Sequence, residues 1–249
     1  MTDQVSISCR DLTLRFPVYG VDAKSLKKQL ARVAVGGRVD RRLTGVTEVT
    51  ALSGLNLELK AGDRLGLVGH NGSGKTTLLR ALSGAYQPDE GEIEVHGRIA
   101  ALLDLNLGVD PSASGYDNIR MRGRIAGLTA REIDAKMDEI AAFTGLGPFL
   151  AMPVKTYSAG MQARLAFAAA TAVEADVLLM DEWIAVGDAD FQKLAHQRLL
   201  GLVERAGILV LASHEVDLLK LYCNKVVRLE GGIASEVVPI RRLNELLER

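Results

Sequence analysis

The sequence predicts an α/β fold in which helices flank a largely parallel sheet. Three short apolar runs, at residues 65–68, 177–180 and 208–211, are too short for helices and are typical of strands buried on both faces. Apolar residues recur with helical periodicity between and after these runs, at residues 76–82, 130–143, 161–173, 191–203 and 240–247. Strands that alternate with helices in this way favour a parallel sheet.

Alternating polar and apolar residues open the chain. Residues 5–9 and 12–16 fit two half-buried strands separated by Arg10 and Asp11, and residues 55–59 fit a third strand. Residues 105–156 carry only helical signals and loops, so we expect them to form a helical insertion between sheet strands.

Residues 21–47 form a basic insertion, with lysines and arginines in excess of acidic residues. Such a stretch is often a solvated face of a domain. The alternative is contact with anionic lipid or with a membrane partner. The sequence leaves both interpretations open.

Composition excludes several classes of protein. The chain has 249 residues, a formal net charge of −1 and 48% hydrophobic residues, which argues against a nucleic-acid-coating protein and against disorder. No apolar stretch approaches the length of a membrane span, and the N-terminus lacks the layout of a secretion signal. Cys9 and Cys223 alone cannot build a disulfide framework or a zinc site. We therefore expect a soluble protein of a reducing compartment.

A glycine-rich segment follows the first buried run. It fits the pattern G-x-x-x-x-G-K-[ST] with Gly69, His70, Asn71, Gly72, Ser73, Gly74, Lys75 and Thr76, and Thr77 comes next. The glycines let successive backbone N–H groups turn toward a polyphosphate, and the following helix adds its N-terminal dipole. Lys75 is expected to reach the β- and γ-phosphates, and the Thr76 hydroxyl to ligate Mg²⁺. The segment predicts binding of a nucleoside triphosphate.

Two carboxylates end the second buried run. Asp181 stands at the carboxyl end of a predicted strand, where open α/β sheets bind ligands, and is expected to hold Mg²⁺ opposite Thr76. Adjacent side chains of a strand point to opposite faces, so Glu182 is expected to leave the metal and face the γ-phosphate. There it can orient the hydrolytic water or accept its proton. The pair therefore predicts hydrolysis of the nucleotide.

A third motif, Tyr-Ser-Ala-Gly-Met, lies at residues 157–161 before a predicted helix. Taken alone, Ser158 would be a helix N-cap and Gly160 a turn residue. Together with the two preceding motifs, the segment resembles the L-S-G-G-Q signature of ABC-type ATPases, over residues 5 to about 236 of this chain. The resemblance implies a P-loop NTPase (RecA-like) core at residues 1–104 and 157–249, with an antiparallel β subdomain. The inserted α-helical subdomain would then be residues 105–156.

The same resemblance implies an assembly. In that family, the signature of one subunit binds the γ-phosphate held by the phosphate loop of the other, so two ATP are enclosed in a homodimer. The residues implied at this seam are Ser158, Ala159, Gly160, Met161 and Asp188. His214, just beyond the last buried run, would be the γ-phosphate sensor. Closure and release of such a dimer would drive a transmembrane permease dimer.

Three details narrow the resemblance to bacterial exporters of lipid-linked polysaccharide, namely those of O-antigen, capsule and teichoic acid. These details are the variant signature, the segment at residues 185–191 and the basic insertion. They imply a peripheral subunit on the cytoplasmic face of the inner membrane, with no nucleic-acid partner. An ABC importer or drug-export ATPase is an alternative, as is a soluble ABC ATPase acting on ribosomes or DNA.

The chain departs from the family pattern at two places. Asp104 stands where most members have the glutamine that reaches Mg²⁺ and the attacking water, so we expect it to offer a metal ligand. The chain ends after one short helix, so we expect no cap recognition by this subunit. The adenine is expected to stack on Phe16, with Tyr19 as the alternative aromatic residue.

Overall fold

A computed structural model of the chain describes residues 5–18, 38–41, 47–184 and 186–248. These residues divide into two compact units. The first holds the described residues up to Gly97, together with Leu179–Glu182 and those from Gly207 onward. The second holds Arg98–Leu178 and Trp183–Ala206.

Antiparallel strands form one sheet of the first unit, in the order β2-β3-β1-β5. Their bounds are Ser6–Val18 for β1, Arg38–Arg41 for β2, Thr47–Lys60 for β3 and Glu90–His96 for β5. The prediction of two strands at residues 5–9 and 12–16 is wrong, because β1 is one continuous strand. Its pairing with β3 is irregular between Cys9 and Leu12, where Asp11 has a φ of +48°. Asp11 and Asn56 exchange two hydrogen bonds of 3.0 and 3.1 Å, which hold the irregularity in place.

A second sheet carries the predicted buried runs. Its order is β10-β9-β4-β8-β7-β6, and β11 also pairs with β9. The bounds are Arg64–Val68 for β4, Ile99–Leu102 for β6, Val177–Asp181 for β7, Ile208–Ala212 for β8, Lys225–Glu230 for β9, Ile233–Ala234 for β10 and Val238–Pro239 for β11. β4 runs parallel to both β8 and β9, so the prediction of a parallel sheet is confirmed.

The helices follow in chain order: α1 Lys75–Leu82, α2 Gly115–Ile125, α3 Ala130–Thr144, α4 Ala159–Ala170, α5 Ala189–Arg205, α6 Val216–Tyr222 and α7 Leu243–Leu247. The prediction of a single helix at residues 240–247 is partly wrong, because Ile240–Arg242 form a 3-10 turn and only Leu243–Leu247 form the α-helix α7. None of the described helices combines the length and the apolarity that crossing a membrane requires.

The second unit has its own apolar core. Ile119 of α2, Ile133 and Ile140 of α3 and Leu165 of α4 are almost completely buried in one cluster. A Cβ at Gly123 would lie 2.7 Å from Ile133, so this glycine allows α2 and α3 to approach closely. The side chains at the start of α4 are therefore carried by a packed helical framework.

Candidate active site

The phosphate loop joins the buried strand β4 to helix α1, both in the first unit. Gly69 and Gly74 adopt φ values of +149° and +110°. A Cβ at Gly69 would lie 2.2 Å from the Leu229 carbonyl oxygen, and one at Gly74 would lie 2.9 Å from that of Ala51. Both the backbone angles and the close approaches therefore require glycine at these two positions.

Lys75 begins α1 and is 7% exposed. Its Nζ donates hydrogen bonds of 2.7 Å to the Gly69 carbonyl and 3.2 Å to the His70 carbonyl, so its ammonium group lies within the curve of the loop. Burial lowers the pKa of Lys75, while the charges of Asp181 and Glu182 oppose that shift.

The hydroxyl of Thr76 meets the carboxylate of Asp181 although 105 residues separate them in sequence. Thr76 Oγ1 donates a 2.6 Å hydrogen bond to Asp181 Oδ2. Asp181 is the last residue of β7, at the carboxyl end of the parallel sheet. The structure therefore brings together the two residues that the sequence predicts as magnesium ligands.

These two side chains suit a magnesium ion that also takes nucleotide oxygens. Mg²⁺ in phosphate sites is held by one or two protein oxygens, with substrate phosphates and water completing its coordination. Within the described residues there is no cluster of three or more histidine, cysteine, aspartate or glutamate side chains able to hold a metal. The donor set of Thr76 and Asp181 fits Mg²⁺ with nucleotide, and the two oxygens, 2.6 Å apart, are close enough to contact one ion.

Glu182 has a backbone conformation that is rare for a residue with a side chain, with φ of +78°. Strand β7 ends one residue earlier, so the simple alternation of strand faces does not set its direction. Its Oε2 accepts a 2.9 Å hydrogen bond from the Ser213 hydroxyl, and its Oε1 accepts one of 2.8 Å from the backbone N–H of His214. The carboxylate is therefore fixed at the end of β8.

A cavity of about 340 Å³ in the first unit gathers most of the predicted residues. Its lining includes Phe16, Asn71, Gly72, Gly74, Lys75, Thr76, Thr77, Asp181, Glu182 and His214. A larger cavity, of about 520 Å³, lies in the second unit beside Arg98, Asp176 and Arg205. The smaller one alone combines a phosphate loop with converging carboxylates, so the chemistry favours it as the active site.

The predicted signature residues open helix α4 in the second unit. The Ser158 hydroxyl accepts a 3.3 Å hydrogen bond from the Met161 backbone N–H, so Ser158 is the N-cap of α4. Ser158, Ala159 and Gly160 are exposed. The same unit holds Asp188, which caps α5 through the Phe191 N–H and forms an ion pair with Arg164. The hydrogen bond from Arg164 is the main reason that the pKa of Asp188 is lowered.

Asp104 lies in the second unit, two residues beyond β6. Its Oδ1 accepts a 2.9 Å hydrogen bond from the Asn106 N–H, which closes a local turn. Tyr19 and most of the basic insertion fall outside the described residues, while the backbone of β2 inside that insertion pairs with β3.

Two residues of structural importance were not predicted from the sequence. Ser213 fixes Glu182, and its position directly before His214 was an available signal. Tyr157 is buried before the signature, and its hydroxyl donates a 2.6 Å hydrogen bond to the Phe149 carbonyl. Burial raises the pKa of Tyr157, which keeps this donor protonated.

Comparisons with known proteins agree with this geometry. The family model described as "ABC transporter" matches residues 52–185. The chain is 42% identical over 231 residues to the O-antigen export system ATP-binding protein RfbE of Yersinia enterocolitica, covering 93% of this chain and 97% of that protein. It is also 42% identical over 213 residues to the O-antigen export system ATP-binding protein RfbB of Myxococcus xanthus, covering 86% of this chain but only 48% of that longer protein.

The fold has counterparts among solved structures. A dimeric, post-hydrolysis structure of the ATP-binding cassette MJ0796, bound to ADP and Pi, superimposes with a TM-score of 0.66 at 18% identity. The match covers 94% of this chain and 99% of that one, so the expected ABC ATPase fold is confirmed. With the family model and the near full-length match to RfbE, it follows that this chain belongs to the ABC transporter family.

Proposed function

We propose that this chain is the ATP-binding and ATP-hydrolysing subunit of an ABC exporter that moves lipid-linked polysaccharide across a bacterial inner membrane. The observation that carries the catalytic part is the convergence of Lys75, Thr76, Asp181 and Glu182 on one cavity. The export part is supported by the 42% identity to RfbE over nearly the whole of both chains.

Nucleotide binding would rely on the positive charge of the phosphate loop and on an aromatic ring that stacks on the base. The N–H groups of residues 69–76 and the N-terminus of α1 attract the polyphosphate, and the ammonium group of Lys75 neutralises part of its charge. Phe16, at the wall of the cavity, offers an aromatic face to the adenine. Thr76 and Asp181 would hold the Mg²⁺ ion. The ion supplies positive charge that offsets the charge developing on the phosphates.

Hydrolysis relies on Glu182. Its carboxylate can orient a water molecule and accept its proton, because a carboxylate held by two donors has little freedom to turn away. His214 also lines the cavity, and its backbone N–H donates a hydrogen bond to Glu182. Because it is close to both the phosphate loop and Glu182, His214 is suited to sense the γ-phosphate. Together they would make turnover depend on a correctly seated nucleotide.

Two copies of the chain would act together, each offering the exposed α4 N-terminus, with Ser158, Ala159, Gly160 and Met161, to the nucleotide of the other. Asp188 would lie at the same seam. The pair would sit under a permease dimer at the cytoplasmic face of the membrane, with the helical subdomain of residues 105–156 toward the permease. ATP bound at the interface would then stabilise the closed dimer, and its hydrolysis would allow the dimer to open.

Two experiments separate the two parts of the proposal. Purified protein should release phosphate from Mg²⁺-ATP, and Lys75→Ala should abolish ATP binding. In a strain that lacks the gene, lipid-linked polysaccharide should accumulate inside the cell and disappear from the surface, and the wild type but not Glu182→Gln should restore export. Normal surface polysaccharide in the deletion strain would refute the proposed export of polysaccharide but would not contradict the proposed ATPase activity.

A further inference from the structure

An aromatic contact inside the first unit goes beyond the residues assigned so far. The rings of Phe16 and Tyr86 are nearly perpendicular, with centroids 5.1 Å apart and an interplanar angle of 69°. This edge-to-face arrangement is a favoured geometry for two aromatic rings. Phe16 lines the nucleotide cavity, whereas Tyr86 does not, so Tyr86 supports the wall without forming it.

Tyr86 is itself held by the helix of the phosphate loop. Arg80, on α1, donates a 3.1 Å hydrogen bond from its Nη1 to the Tyr86 hydroxyl. The backbone N–H of Ala85 binds the Arg80 carbonyl at 3.0 Å, which fixes the chain directly before Tyr86. A continuous series of contacts therefore runs from α1 through Tyr86 to Phe16.

The backbone on either side of this contact is also tied down. The N–H of Arg15, next to Phe16, donates a 2.6 Å hydrogen bond to the carboxylate of Asp89. The N–H of Asp89 in turn binds the Thr13 carbonyl at 2.9 Å. Because both segments are anchored to each other, the two rings meet in a defined position rather than by chance packing of exposed side chains.

We propose that Tyr86, held by Arg80, is a positioning residue that fixes the Phe16 ring for stacking with the purine base of the nucleotide. This inference rests on the proposed function, in which Phe16 stacks on adenine. A ring that is already held in place loses less conformational freedom when the base arrives, so more of the stacking energy appears as affinity. The contact also links Phe16 to α1, the helix that follows the phosphate loop.

The test compares ATP with inorganic tripolyphosphate, which has the phosphates but no base. Both are titrated by calorimetry without Mg²⁺, so that nothing is hydrolysed. Tyr86→Leu should weaken ATP binding by about three- to tenfold, the worth of one aromatic contact, and leave tripolyphosphate binding unchanged. Tyr86→Phe, which keeps the ring and loses only the bond from Arg80, should lose less than Tyr86→Leu.

A double-mutant cycle completes the test. In a Phe16→Leu background, Tyr86→Leu should cost almost nothing further, because the ring that it positions is gone. The proposal is overturned by unchanged ATP affinity of Tyr86→Leu, by equal loss for tripolyphosphate, by equal loss in Tyr86→Phe, or by an undiminished effect without Phe16. A wild type that binds neither ligand would instead refute the proposed function.

Discussion

Glu182 and Ser213 are joined by a 2.9 Å hydrogen bond although 31 residues separate them, and the N–H of His214 binds the other carboxylate oxygen at 2.8 Å. Ser213 is only 3% exposed, so this contact is shielded from competing water. The carboxylate is thereby fixed at the end of β8, inside the lining of the nucleotide cavity.

Replacing Glu182 with glutamine should separate nucleotide binding from turnover. The amide keeps the shape of the carboxylate but cannot accept the proton of water, so we expect the rate of hydrolysis to fall by about 10²- to 10⁴-fold. ATP should still bind and should trap a dimer, visible by size-exclusion chromatography with ATP. Lys75→Ala is the control, because it should neither bind ATP nor dimerise. A monomeric Glu182→Gln protein with normal phosphate release would contradict the assigned role.

Removing the Ser213 hydroxyl should leave the Glu182 carboxylate held only by the His214 N–H, without changing a residue of the cavity lining. Ser213→Ala loses the hydrogen bond to the Glu182 carboxylate and also the 3.1 Å bond that the Glu215 N–H donates to the same hydroxyl. We expect kcat to fall by roughly tenfold or more with little change in KM. Ser213→Thr keeps the hydroxyl and should retain most of the activity. Ser235→Ala removes a hydroxyl of the same unit that bonds only to backbone around β9, and it should leave kcat unchanged. An equal loss in Ser213→Thr and Ser213→Ala would show that the hydroxyl is not what matters.

Thr76 offers a test of the magnesium ligands. Thr76→Val keeps the shape of the side chain but removes the oxygen that meets Asp181, so we expect the Mg²⁺ concentration for half-maximal hydrolysis to rise by at least about tenfold. Thr76→Ser keeps the oxygen and serves as the matched control. Phosphate release measured against Mg²⁺ concentration distinguishes them, and identical curves for Val and Ser would exclude Thr76 as a ligand.

The parts of the site that the sequence predicts are those that short motifs carry, namely the phosphate loop and the carboxylates that end an apolar run. Gly69 and Gly74 lie within the same short segment as Lys75 and Thr76, residues 69–76, and the backbone angles that favour glycine arise within that segment. The hold on Glu182 was not predictable in this way. It depends on the φ of +78° at Glu182 itself and on Ser213, which follows a different strand, β8.

Helix α2 shows a similar limit among the secondary-structure elements. Its N-cap, Ser114, accepts a 3.1 Å hydrogen bond from the Asp117 backbone N–H. The helix was missed because its apolar face is weak, with arginines at 120, 122 and 124. Arg122 is nevertheless buried, since its guanidinium binds the carbonyl oxygens of Leu107 and Asp104. The hydrogen bonds of Arg122 thus add to the packing of Ile119, and periodicity cannot detect them.

Ser158 allows helix capping to be separated from a role at the dimer seam. Ser158→Asp still caps α4 but places a negative charge where the partner's γ-phosphate is expected, so it should spare ATP binding to the monomer and abolish the cooperativity of hydrolysis. Ser158→Asn caps equally well without a charge and is the control. Unaffected cooperativity in Ser158→Asp would argue that α4 does not meet the second nucleotide.

The buried thiols of Cys9 and Cys223 should make the free energy of unfolding depend on pH in the alkaline range. Burial raises the pKa of both Cys9 and Cys223 from 9.0 to about 12, so the folded protein keeps both thiols protonated where the unfolded chain has already lost those protons. The folded state then binds more protons than the unfolded state between about pH 9 and pH 12, and the free energy of unfolding falls as pH rises there, by about 1.4 kcal/mol per pH unit for each thiol. Below pH 9 the contribution is fully present.

Urea unfolding of the wild type and of Cys9→Ala at several pH values isolates one thiol. The difference in unfolding free energy between the two proteins should be constant up to about pH 8.5 and then narrow steadily. Native protein should also resist a thiol reagent at pH 8 and react fully in urea, because a buried protonated thiol is a poor nucleophile. A gap that stays constant through pH 10 would mean that water reaches Cys9 in the folded protein.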